Sequence, residues 1–490
     1  MRSLVDRTVD LLIIGGGIIG AGIARDAALR GLSVALVEQN DFASGTTSRP
    51  TRLIHGGLRY LELFDFGLVR SDMREREILL RIAPHLVFPL PFLLPMYRPS
   101  LWYRFKLRVG MFLYDLLSLD KSLPRRAWLD RAETLAAEPS LDPDGLVGAW
   151  RFYDAQVPLV ERLVIENLLD ATKGGAIVLN HARAVEYVRE GARVTGARVR
   201  DEVAGHDIAV RARMTVNATG PWLDRPIAGL RPRATPLLRL TKGIHIVTPR
   251  ATAHAHVLFA KRDGRIFFVV PWRGLTIVGT TDTDYEGDPA DAAATEDDVR
   301  YLQAEARRAF PDAPFDTILF TWAGIRALVR EEGVSEGEVS RKHALYDHER
   351  RDGILGLLSV VGGKITAYRD IAEEVVDRVA GKGTRSRTAE VTLPGADTGA
   401  ARTVTPALCR HDPTTAEDIA RAVRDEWAMT IGDALLRRTT LGLAPCQGLD
   451  CLEGVADHMA RLLGWDATRR AAEIAAYRRE IEPMRRFSVE

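Results

Sequence analysis

A short apolar strand that leads directly into a glycine-rich turn constrains the fold of this chain more than any other feature. Residues 9–14 are predicted to form the strand, and Gly15-Gly16-Gly17-Ile18-Ile19-Gly20 follows it without a break. A helix is predicted over residues 21–30, and a second apolar strand over residues 33–37 ends at Glu38. This order of strand, turn, helix and strand is typical of a parallel α/β unit.

Each part of this unit has a specific use in binding a dinucleotide. Gly15 permits the tight turn, Gly17 lets the backbone approach a pyrophosphate, and Gly20 allows close packing of helix on strand. The N–H groups and the dipole at the start of the helix favour the anion. Glu38 can accept hydrogen bonds from ribose hydroxyls and would repel a 2′-phosphate. The sequence therefore predicts a dinucleotide site, and these residues by themselves leave NAD and FAD both open.

The composition limits the size and the surroundings of the protein. The chain has 490 residues, which is enough for two or three domains. Its 67 basic and 66 acidic side chains leave a net charge of +1, so there is no electrostatic reason to expect nucleic acid as a partner. Three cysteines suit a reducing compartment. No apolar run approaches the roughly 20 residues of a spanning helix, and the start leaves no room for a signal peptide, so we expect a soluble or peripheral protein.

Two later segments repeat the pattern of a strand that ends in a glycine turn. The first is Asn217-Ala218-Thr219-Gly220-Pro221-Trp222, and the second is Gly362-Gly363-Lys364-Ile365-Thr366. Ligands collect at such turns in open α/β sheets. Helices are predicted at 159–172 and 367–379, and three alternating strands are predicted at 237–249, 265–271 and 275–281. Residues 86–96 carry three prolines and are predicted to be irregular or at a sheet edge.

With these motifs the chain resembles the FAD-dependent glycerol-3-phosphate dehydrogenases of the aerobic respiratory type, in the glutathione-reductase/D-amino-acid-oxidase group of flavoproteins. The resemblance extends over about residues 8–380. Besides the three glycine turns it rests on three segments, which are Leu53-Ile54-His55-Gly56-Gly57-Leu58-Arg59-Tyr60-Leu61-Glu62, Lys242-Gly243-Ile244-His245-Ile246-Val247 and Val278-Gly279-Thr280-Thr281-Asp282. Together with the separated glycine turns, the resemblance implies FAD as the cofactor.

The fold class expected is α/β, with a discontinuous FAD-binding Rossmann-type domain, an inserted antiparallel β-sheet substrate domain and a C-terminal helical domain. The FAD-binding segments are expected at 1–70, 156–224 and 351–385. A cap that could face the membrane is expected at 71–155, the substrate domain at 225–350 and the helical domain at 395–490. The residues expected to bind FAD are Gly15, Gly17, Ile18, Gly20, Glu38, Thr46, Thr47, Ile54, Gly220, Gly363, Lys364, Ile365 and Thr366.

The resemblance implies oxidation of sn-glycerol 3-phosphate to dihydroxyacetone phosphate by hydride transfer to the flavin. Arg59, Arg326 and Arg341 are expected to bind the phosphate, since arginine holds this group with two permanently charged donors. Tyr60 is expected to line the substrate pocket. His55 and His245 are both candidates for the base that accepts the hydroxyl proton, and the sequence does not decide between them. The expected position of Lys364 is at the N1–C2 edge of the flavin, where a positive charge stabilises the reduced anion.

The electrons are expected to pass to a membrane quinone, with the protein attached peripherally to the inner, cytoplasmic face of the cell membrane. A helix over residues 98–117 has an apolar face with two possible uses. Trp102, Phe105, Val109, Phe112 and Leu116 form this face, which suits either packing in a core or an interfacial helix. The other partners considered are glycerol 3-phosphate itself and a second copy of the chain in a homodimer.

The C-terminal region holds all three cysteines. Anaerobic relatives carry a similar Cys-Gln-Gly…Cys segment that is arranged for a [2Fe–2S] cluster, whereas here the set is Cys409, His411, Cys446 and Cys451. The departure favours ordinary helical packing of these side chains, and no metal site is predicted. Two alternative functions stay open at this point. One is an oxidase that uses oxygen, and the other is a non-catalytic or other-substrate FAD-binding electron-transfer subunit.

Overall fold

The computed structural model describes residues 7–57, 65–118, 122–231, 235–330, 343–381, 384–397 and 406–488. Its strands are β1 (Thr8–Ile14), β2 (Val34–Val37), β3 (Leu53–Ile54), β4 (Phe88–Tyr97), β5 (Ala127–Asp130), β6 (Leu146–Gln156), β7 (Ile177–Leu179), β8 (Ala182–Glu190), β9 (Arg193–Asp201), β10 (Asp207–Asn217), β11 (Leu238–Pro249), β12 (Ala255–Phe259), β13 (Ile266–Trp272), β14 (Leu275–Gly279), β15 (Thr283–Asp284), β16 (Phe320–Val329), β17 (Ala344–Asp347), β18 (Leu357–Val361), β19 (Ala407–Cys409) and β20 (Asp412–Thr415). Its α-helices are α1 (Ile18–Leu29), α2 (Phe66–Ile82), α3 (Leu101–Leu116), α4 (Arg131–Ala137), α5 (Val160–Lys173), α6 (Asp224–Ala228), α7 (Glu296–Ala309), α8 (His348–Asp352), α9 (Tyr368–Ala380), α10 (Ala416–Asp425), α11 (Leu452–Leu463) and α12 (Ala467–Arg485).

The first sheet is built around parallel strands that are far apart in the chain. Its order is β17-β18-β10-β1-β2-β7, and β18, β10, β1, β2 and β7 run parallel to one another. Helix α1 packs between α5 and α9 on this sheet, and their apolar side chains join the strands in one core cluster. Because the strands are parallel, the glycine turns that follow β1, β10 and β18 lie at the same edge of the sheet. The helices predicted at 159–172 and 367–379 are confirmed as α5 and α9.

The second sheet is mostly antiparallel and stands beside the first. Its order is β15-β11-β14-β13-β12-β4-β6-β3, with β16 along β11 and β5 along β6. The strands predicted at 237–249, 265–271 and 275–281 are confirmed as β11, β13 and β14. Strands from the chain before residue 157 and strands after residue 237 share this sheet, so one wall of the protein combines two distant stretches of sequence.

The prediction for residues 86–96 is wrong, since β4 is a ten-residue strand inside the second sheet. It pairs with β6 along its whole length and with β12 at only two residues. Pro89, Pro91 and Pro95 have the same parity along the strand, so their missing N–H groups all lie on one side. The sparse pairing with β12 fits a strand that lacks donors on that side.

The C-terminal part is largely helical and follows the small β19–β20 ladder. Helices α10, α11 and α12 surround a separate core, and a helical turn with π-type hydrogen bonds occupies Asp433–Arg438. Within the expected helical domain, the sequence pattern predicts helices over residues 416–429, 431–439 and 466–482. All three are confirmed in position, although the first ends at Asp425 and the second is π-type. A capping box from Thr415 to Asp418 begins α10.

The apolar face of helix α3 is exposed to solvent. Of the two uses predicted for this face, packing in a core is therefore wrong. Trp102 is 72% exposed, Phe105 59% and Phe112 54%, while Met111 and Tyr114 on the opposite face are buried. The core reading failed because the same 3.6-residue periodicity describes a face toward a core and a face toward a lipid surface. Among the described helices, none has the length and apolar character needed to cross a membrane.

Candidate active site

One cavity of about 770 Å³ opens between the two sheets. The glycine turns after β1, β10 and β18 line one end, and side chains of the second sheet line the other. All of the predicted FAD-binding residues line this cavity except Gly20 and Ile54. Gly20 instead packs under the first turn, and Ile54 is fully buried in β3.

Steric crowding explains the glycines of the first turn. Gly15 has φ +114°, and a Cβ atom there would lie 2.5 Å from the carbonyl oxygen of Ala218. A Cβ on Gly20 would lie 1.9 Å from the carbonyl oxygen of Gly15. Both distances exclude any side chain, because non-bonded heavy atoms need more than 3 Å. The turn is therefore fixed by close backbone contacts between β1, β10 and α1.

The start of α1 is arranged to receive an anion. Gly17 is its N-cap and contributes no side-chain hydrogen bond, while the Ile18 N–H donates to Thr47 Oγ1 at 3.2 Å. Gly15, Gly17 and Ile18 all line the cavity, so the open backbone end of a twelve-residue helix faces it. A pyrophosphate fits here by charge and by hydrogen-bond donors.

Glu38 lies at the end of β2, where the sequence placed a ribose contact. One carboxylate oxygen accepts the Gly16 N–H at 2.7 Å and the other accepts the Asn40 N–H at 2.9 Å. Burial raises the pKa of this carboxyl, while the two backbone donors work in the opposite direction. Each oxygen keeps a second lone pair that can accept a ribose hydroxyl. The residues present at this end of the cavity therefore fit the FAD group that the sequence implies.

The third turn connects this end to the substrate side. Gly363 and Lys364 line the cavity, and the Thr366 hydroxyl accepts the backbone N–H of His55 at 3.2 Å. On the opposite wall, the Thr46 hydroxyl donates to the Ile325 carbonyl at 2.6 Å. Segments that are hundreds of residues apart therefore meet around one space.

Both candidate histidines line the cavity but have different surroundings. His55 Nδ1 accepts the Gly57 N–H at 3.1 Å. His245 Nε2 lies 2.8 Å from the Thr51 hydroxyl, and its buried Nδ1 has no hydrogen-bond partner among the described residues. Burial, and after it the positive charges of Arg326 and Arg52, together lower the pKa of His245 to about 3. His245 is therefore neutral at physiological pH and a weak base.

Arg326 lies on β16 and faces the cavity with its charge already paired. Its guanidinium donates to Asp282 Oδ1 at 2.8 Å and to Thr280 Oγ1 at 2.9 Å. It also donates to the Thr281 carbonyl oxygen at 3.2 Å. The side chain keeps 21% exposure and lines the cavity, so an anion in the cavity can reach its positive charge. Arg59, Tyr60 and Arg341 lie outside the described residues, and their assignments stay predictions.

Lys364 forms an ion pair that the sequence did not indicate. Its ammonium contacts Asp72 Oδ2 of α2, and Asp72 is almost fully buried. The pKa of Asp72 is raised to about 6, because burial and the charge of Asp154 raise it by more than the ammonium of Lys364 lowers it. Lys364 therefore interacts both with the carboxyl of Asp72, whose pKa lies near neutrality, and with a group bound in the cavity.

Asp154 is a further cavity residue that sequence reasoning missed. Its Oδ1 accepts from Arg76 at 2.5 Å and from the Gly56 N–H at 3.4 Å, and its Oδ2 accepts the Tyr114 hydroxyl at 2.7 Å. Asp154 therefore holds the backbone next to His55. The available signal was a lone acid inside the apolar strand β6, since buried carboxylates need partners.

The three cysteines meet in the C-terminal core. Cys409 Sγ lies 3.5 Å from Cys446 Sγ. Burial raises the pKa of Cys446, and burial followed by the charges of Cys409 and Cys446 raises the pKa of Cys451 to about 12. His411 Nε2 is 3.6 Å from Asp450 Oδ2. The raised pKa values of Cys446 and Cys451 disfavour their thiolates and suit ordinary packing, which remains a prediction to be checked by the iron and zinc content of the purified protein.

Comparisons with known proteins agree with this geometry. Residues 10–369 match the family described as FAD dependent oxidoreductase, and residues 396–470 match the C-terminal domain of alpha-glycerophosphate oxidase. A glycerol-3-phosphate dehydrogenase from Synechocystis sp. is 42% identical over 79% of this chain and 73% of its own length. Glycerol-3-phosphate dehydrogenase 2 from Mycobacterium tuberculosis is 36% identical over 98% of this chain and 89% of its own length.

A solved structure with bound FAD has a similar fold over nearly the whole chain. The glycerol-3-phosphate dehydrogenase from Bacillus halodurans has a TM-score of 0.76 and 27% identity, and the match covers 98% of this chain and 96% of that one. The fold, the cavity and these relatives agree on the cofactor and on the family. The chain belongs to the FAD-dependent oxidoreductases, in the family of glycerol-3-phosphate dehydrogenases.

Proposed function

We propose that this protein oxidises sn-glycerol 3-phosphate to dihydroxyacetone phosphate and passes the electrons to a membrane quinone. The observation that carries this proposal is the cavity between the two sheets, in which the three glycine turns share one space with His55, His245 and Arg326. FAD, when bound, supplies the acceptor for the hydride and for its two electrons. The relatives named for this substrate support its identity.

The phosphate of the substrate belongs at Arg326 in this proposal. A dianion near the guanidinium forms charge-assisted hydrogen bonds, which are stronger than neutral ones. Asp282 holds the guanidinium of Arg326 in place. The negative charge of Asp282 repels the phosphate, and this repulsion reduces the gain from the arginine. Additional positive charge from Arg59 and Arg341 is part of the proposal.

His55 is the proposed base. His245 is the weaker candidate, because its lowered pKa of about 3 leaves little driving force for taking a proton. In the present arrangement the Gly57 N–H donates to His55 Nδ1, so the neutral ring carries its proton on Nε2. Accepting a proton at Nε2 requires the other tautomer, and the Gly57 contact must open during the step. His245 also lines the cavity and is proposed to contact the substrate without accepting its proton.

Helix α3 is the proposed membrane-attachment element. Its outward face carries Trp102, Phe105 and Phe112, and Arg104, Lys106 and Arg108 are also exposed. Aromatic side chains beside basic ones are typical of helices that lie in the interface of anionic bilayers. This location on the inner face of the cell membrane would bring the flavoprotein to its quinone.

Substrate oxidation is tested by product formation. Purified protein is incubated with glycerol 3-phosphate and a dye acceptor, and dihydroxyacetone phosphate is quantified. We expect one product molecule for each two electrons that the dye takes up. Glycerol in place of glycerol 3-phosphate serves as the matched control. Rapid reduction of oxygen without a dye would support the oxidase alternative, and no product with any acceptor would support the electron-transfer subunit.

Membrane attachment is tested by sedimentation with phosphatidylglycerol vesicles. The double variant Trp102→Glu/Phe105→Glu should bind at least about tenfold more weakly, since each buried aromatic side chain contributes about 2 kcal/mol. Leu462→Glu, which alters an exposed apolar residue of α11, is the control and should bind like the parent. Equal binding of all three proteins would assign the attachment to another surface.

A further inference from the structure

The loop that follows β2 is held by two parts of the molecule. On one side it contacts the first glycine turn, where the Ala43 N–H donates to the Gly16 carbonyl at 3.0 Å. The ring of Phe42 lies so close to Gly16 that a Cβ there would be 2.6 Å from the ring. This loop also contains Glu38 and leads into Thr46 and Thr47, which line the cavity. Its position therefore shapes the adenosine end of the FAD site.

On its other side the loop is bound by the C-terminal part of the chain. Arg438 donates to both oxygens of Asp41, at 2.6 and 2.8 Å, and Arg437 Nε donates to Asp41 Oδ2 at 2.6 Å. The three side chains are buried, with exposures of 1%, 5% and 7% for Asp41, Arg438 and Arg437. The ring of Trp427 meets that of Phe42 edge-on, with centroids 5.6 Å apart.

A cation site is a poor explanation for this cluster. Asp41, His181 and Asp433 do bring their ligand atoms within 4.8 Å of one another. However, Arg437 and Arg438 already occupy the carboxylates with two positive charges, which oppose a further cation. The arrangement is instead that of a buried ion-pair network that fixes one geometry.

We infer that the C-terminal part of the chain is a positioning element for FAD, with Asp41 as the residue through which it acts. Arg437 and Arg438 hold Asp41, Trp427 holds Phe42, and Phe42 supports the glycine turn that faces the pyrophosphate. None of these residues needs to touch the cofactor. Loss of the network would free the loop between residues 38 and 47, and FAD would leave more readily.

The test measures release of FAD from the holoprotein, followed by the rise of flavin fluorescence after dilution. Asp41→Asn keeps the shape of the side chain and removes its charge, which takes from buried Arg438 the carboxylate that it binds, while Arg437 keeps its ion pairs with Asp433 and Glu480. We expect FAD release to be at least about tenfold faster. Asp41→Glu, which restores the charge, should recover part of the slow release.

The matched control is a different ion pair between the same two parts of the chain. Arg273, which follows β13, binds Asp412 of β20 at 2.9 Å, and neither residue belongs to the loop after β2 or bonds to Asp41, Arg437 or Arg438 in the part of the chain that the structure describes. Arg273→Gln should lower the melting temperature without accelerating FAD release. If it accelerates release as much as Asp41→Asn does, the network is merely a general stabiliser and the inference is wrong.

A milder variant keeps the test valid if Asp41→Asn does not fold. Trp427→Leu keeps an apolar side chain against the core and removes the ring contact with Phe42, so it should speed FAD release by about threefold, in keeping with an aromatic pair worth about 0.5–1.5 kcal/mol. A folded Trp427→Leu protein that releases FAD at the parental rate would contradict the inference. These measurements do not depend on the substrate, so they stand whether or not glycerol 3-phosphate is oxidised.

Discussion

The two ends of the cavity are built in different ways. The nucleotide end is made by backbone contacts, in which Gly15 and Gly20 leave no room for a Cβ atom. The substrate end is made by charged and polar side chains that are already paired, such as Arg326 with Asp282 and Lys364 with Asp72. A substitution at the sterically fixed nucleotide end should abolish FAD binding, whereas a substitution at the electrostatic substrate end should change substrate binding or reactivity by a graded amount.

The largest effect is expected at the nucleotide end. Gly20→Ala would place a Cβ 1.9 Å from the Gly15 carbonyl oxygen, so the turn must move and FAD should be lost from the purified protein. The measurement is the ratio of flavin absorbance to protein. Gly454→Ala is the control, because this helical glycine of α11 has nothing within 4 Å of the new methyl group, and alanine should stabilise the helix by up to about 1 kcal/mol. Full FAD occupancy in Gly20→Ala would contradict the claim that close backbone contacts fix the glycine turn.

The second largest effect concerns the base. His55→Asn should slow reduction of bound FAD by glycerol 3-phosphate about 10²- to 10⁴-fold, the usual contribution of a general base, with FAD retained. His245→Asn should mainly raise the half-saturating concentration of glycerol 3-phosphate, because a neutral histidine of low pKa contributes to binding rather than to proton transfer. Stopped-flow absorbance across a pH series separates the two, because the parental pH dependence should vanish only in His55→Asn. The reverse pattern would make His245 the base.

A smaller, graded effect is expected for the phosphate contact. Arg326→Ala should raise the half-saturating concentration of glycerol 3-phosphate about 10- to 100-fold, in line with a charge-assisted hydrogen bond worth about 1.5–3 kcal/mol. Arg239→Ala is a matched control, since Arg239 pairs with Asp284 on the same sheet but does not line the cavity. Steady-state assays with a dye acceptor provide the measurement. An unchanged half-saturation in Arg326→Ala would place the phosphate elsewhere.

The smallest effect is a shift of redox potential. Asp72 shares Lys364 with the cavity, and its pKa of about 6 leaves it charged at pH 7.5 and neutral at pH 5. Asp72→Asn should therefore raise the flavin midpoint potential at pH 7.5 by about 30 mV, which corresponds to about 1.4 kcal/mol for two electrons. The difference from the parent should disappear at pH 5. Equal potentials at both pH values would show that Lys364 does not couple Asp72 to the flavin.

The same contrast explains how much the sequence could predict. The glycine turns, the strands β11, β13 and β14 and the start of α10 depend on short local patterns, and each could be predicted from neighbouring residues. The ion pairs of the site depend on residues that are far apart. Lys364 and Asp72 are separated by 292 positions, and Arg438 and Asp41 by 397. A single sequence carries no local signal for such pairs.

Two errors have the same physical origin. The three prolines of β4 argued against a strand inside a sheet, because proline lacks the N–H group that strand pairing needs. In the structure the missing N–H groups lie on one side of β4, and the long pairing with β6 on the other side keeps its donors. Which side pairs closely cannot be known before the neighbouring strands are known. The apolar face of α3 was compatible with a core because periodicity describes a face but not what covers it. Both answers depend on tertiary contacts, which is also why the role of Asp41 could not be foreseen.

The central claim is that one cavity joins bound FAD to glycerol 3-phosphate, and anaerobic reduction tests it most directly. The purified holoprotein is titrated with glycerol 3-phosphate in the absence of oxygen while the absorbance of the oxidised flavin is followed. We predict complete bleaching by glycerol 3-phosphate and none by glycerol, which lacks the phosphate that Arg326 would bind. A flavin that stays oxidised in excess glycerol 3-phosphate would contradict the account.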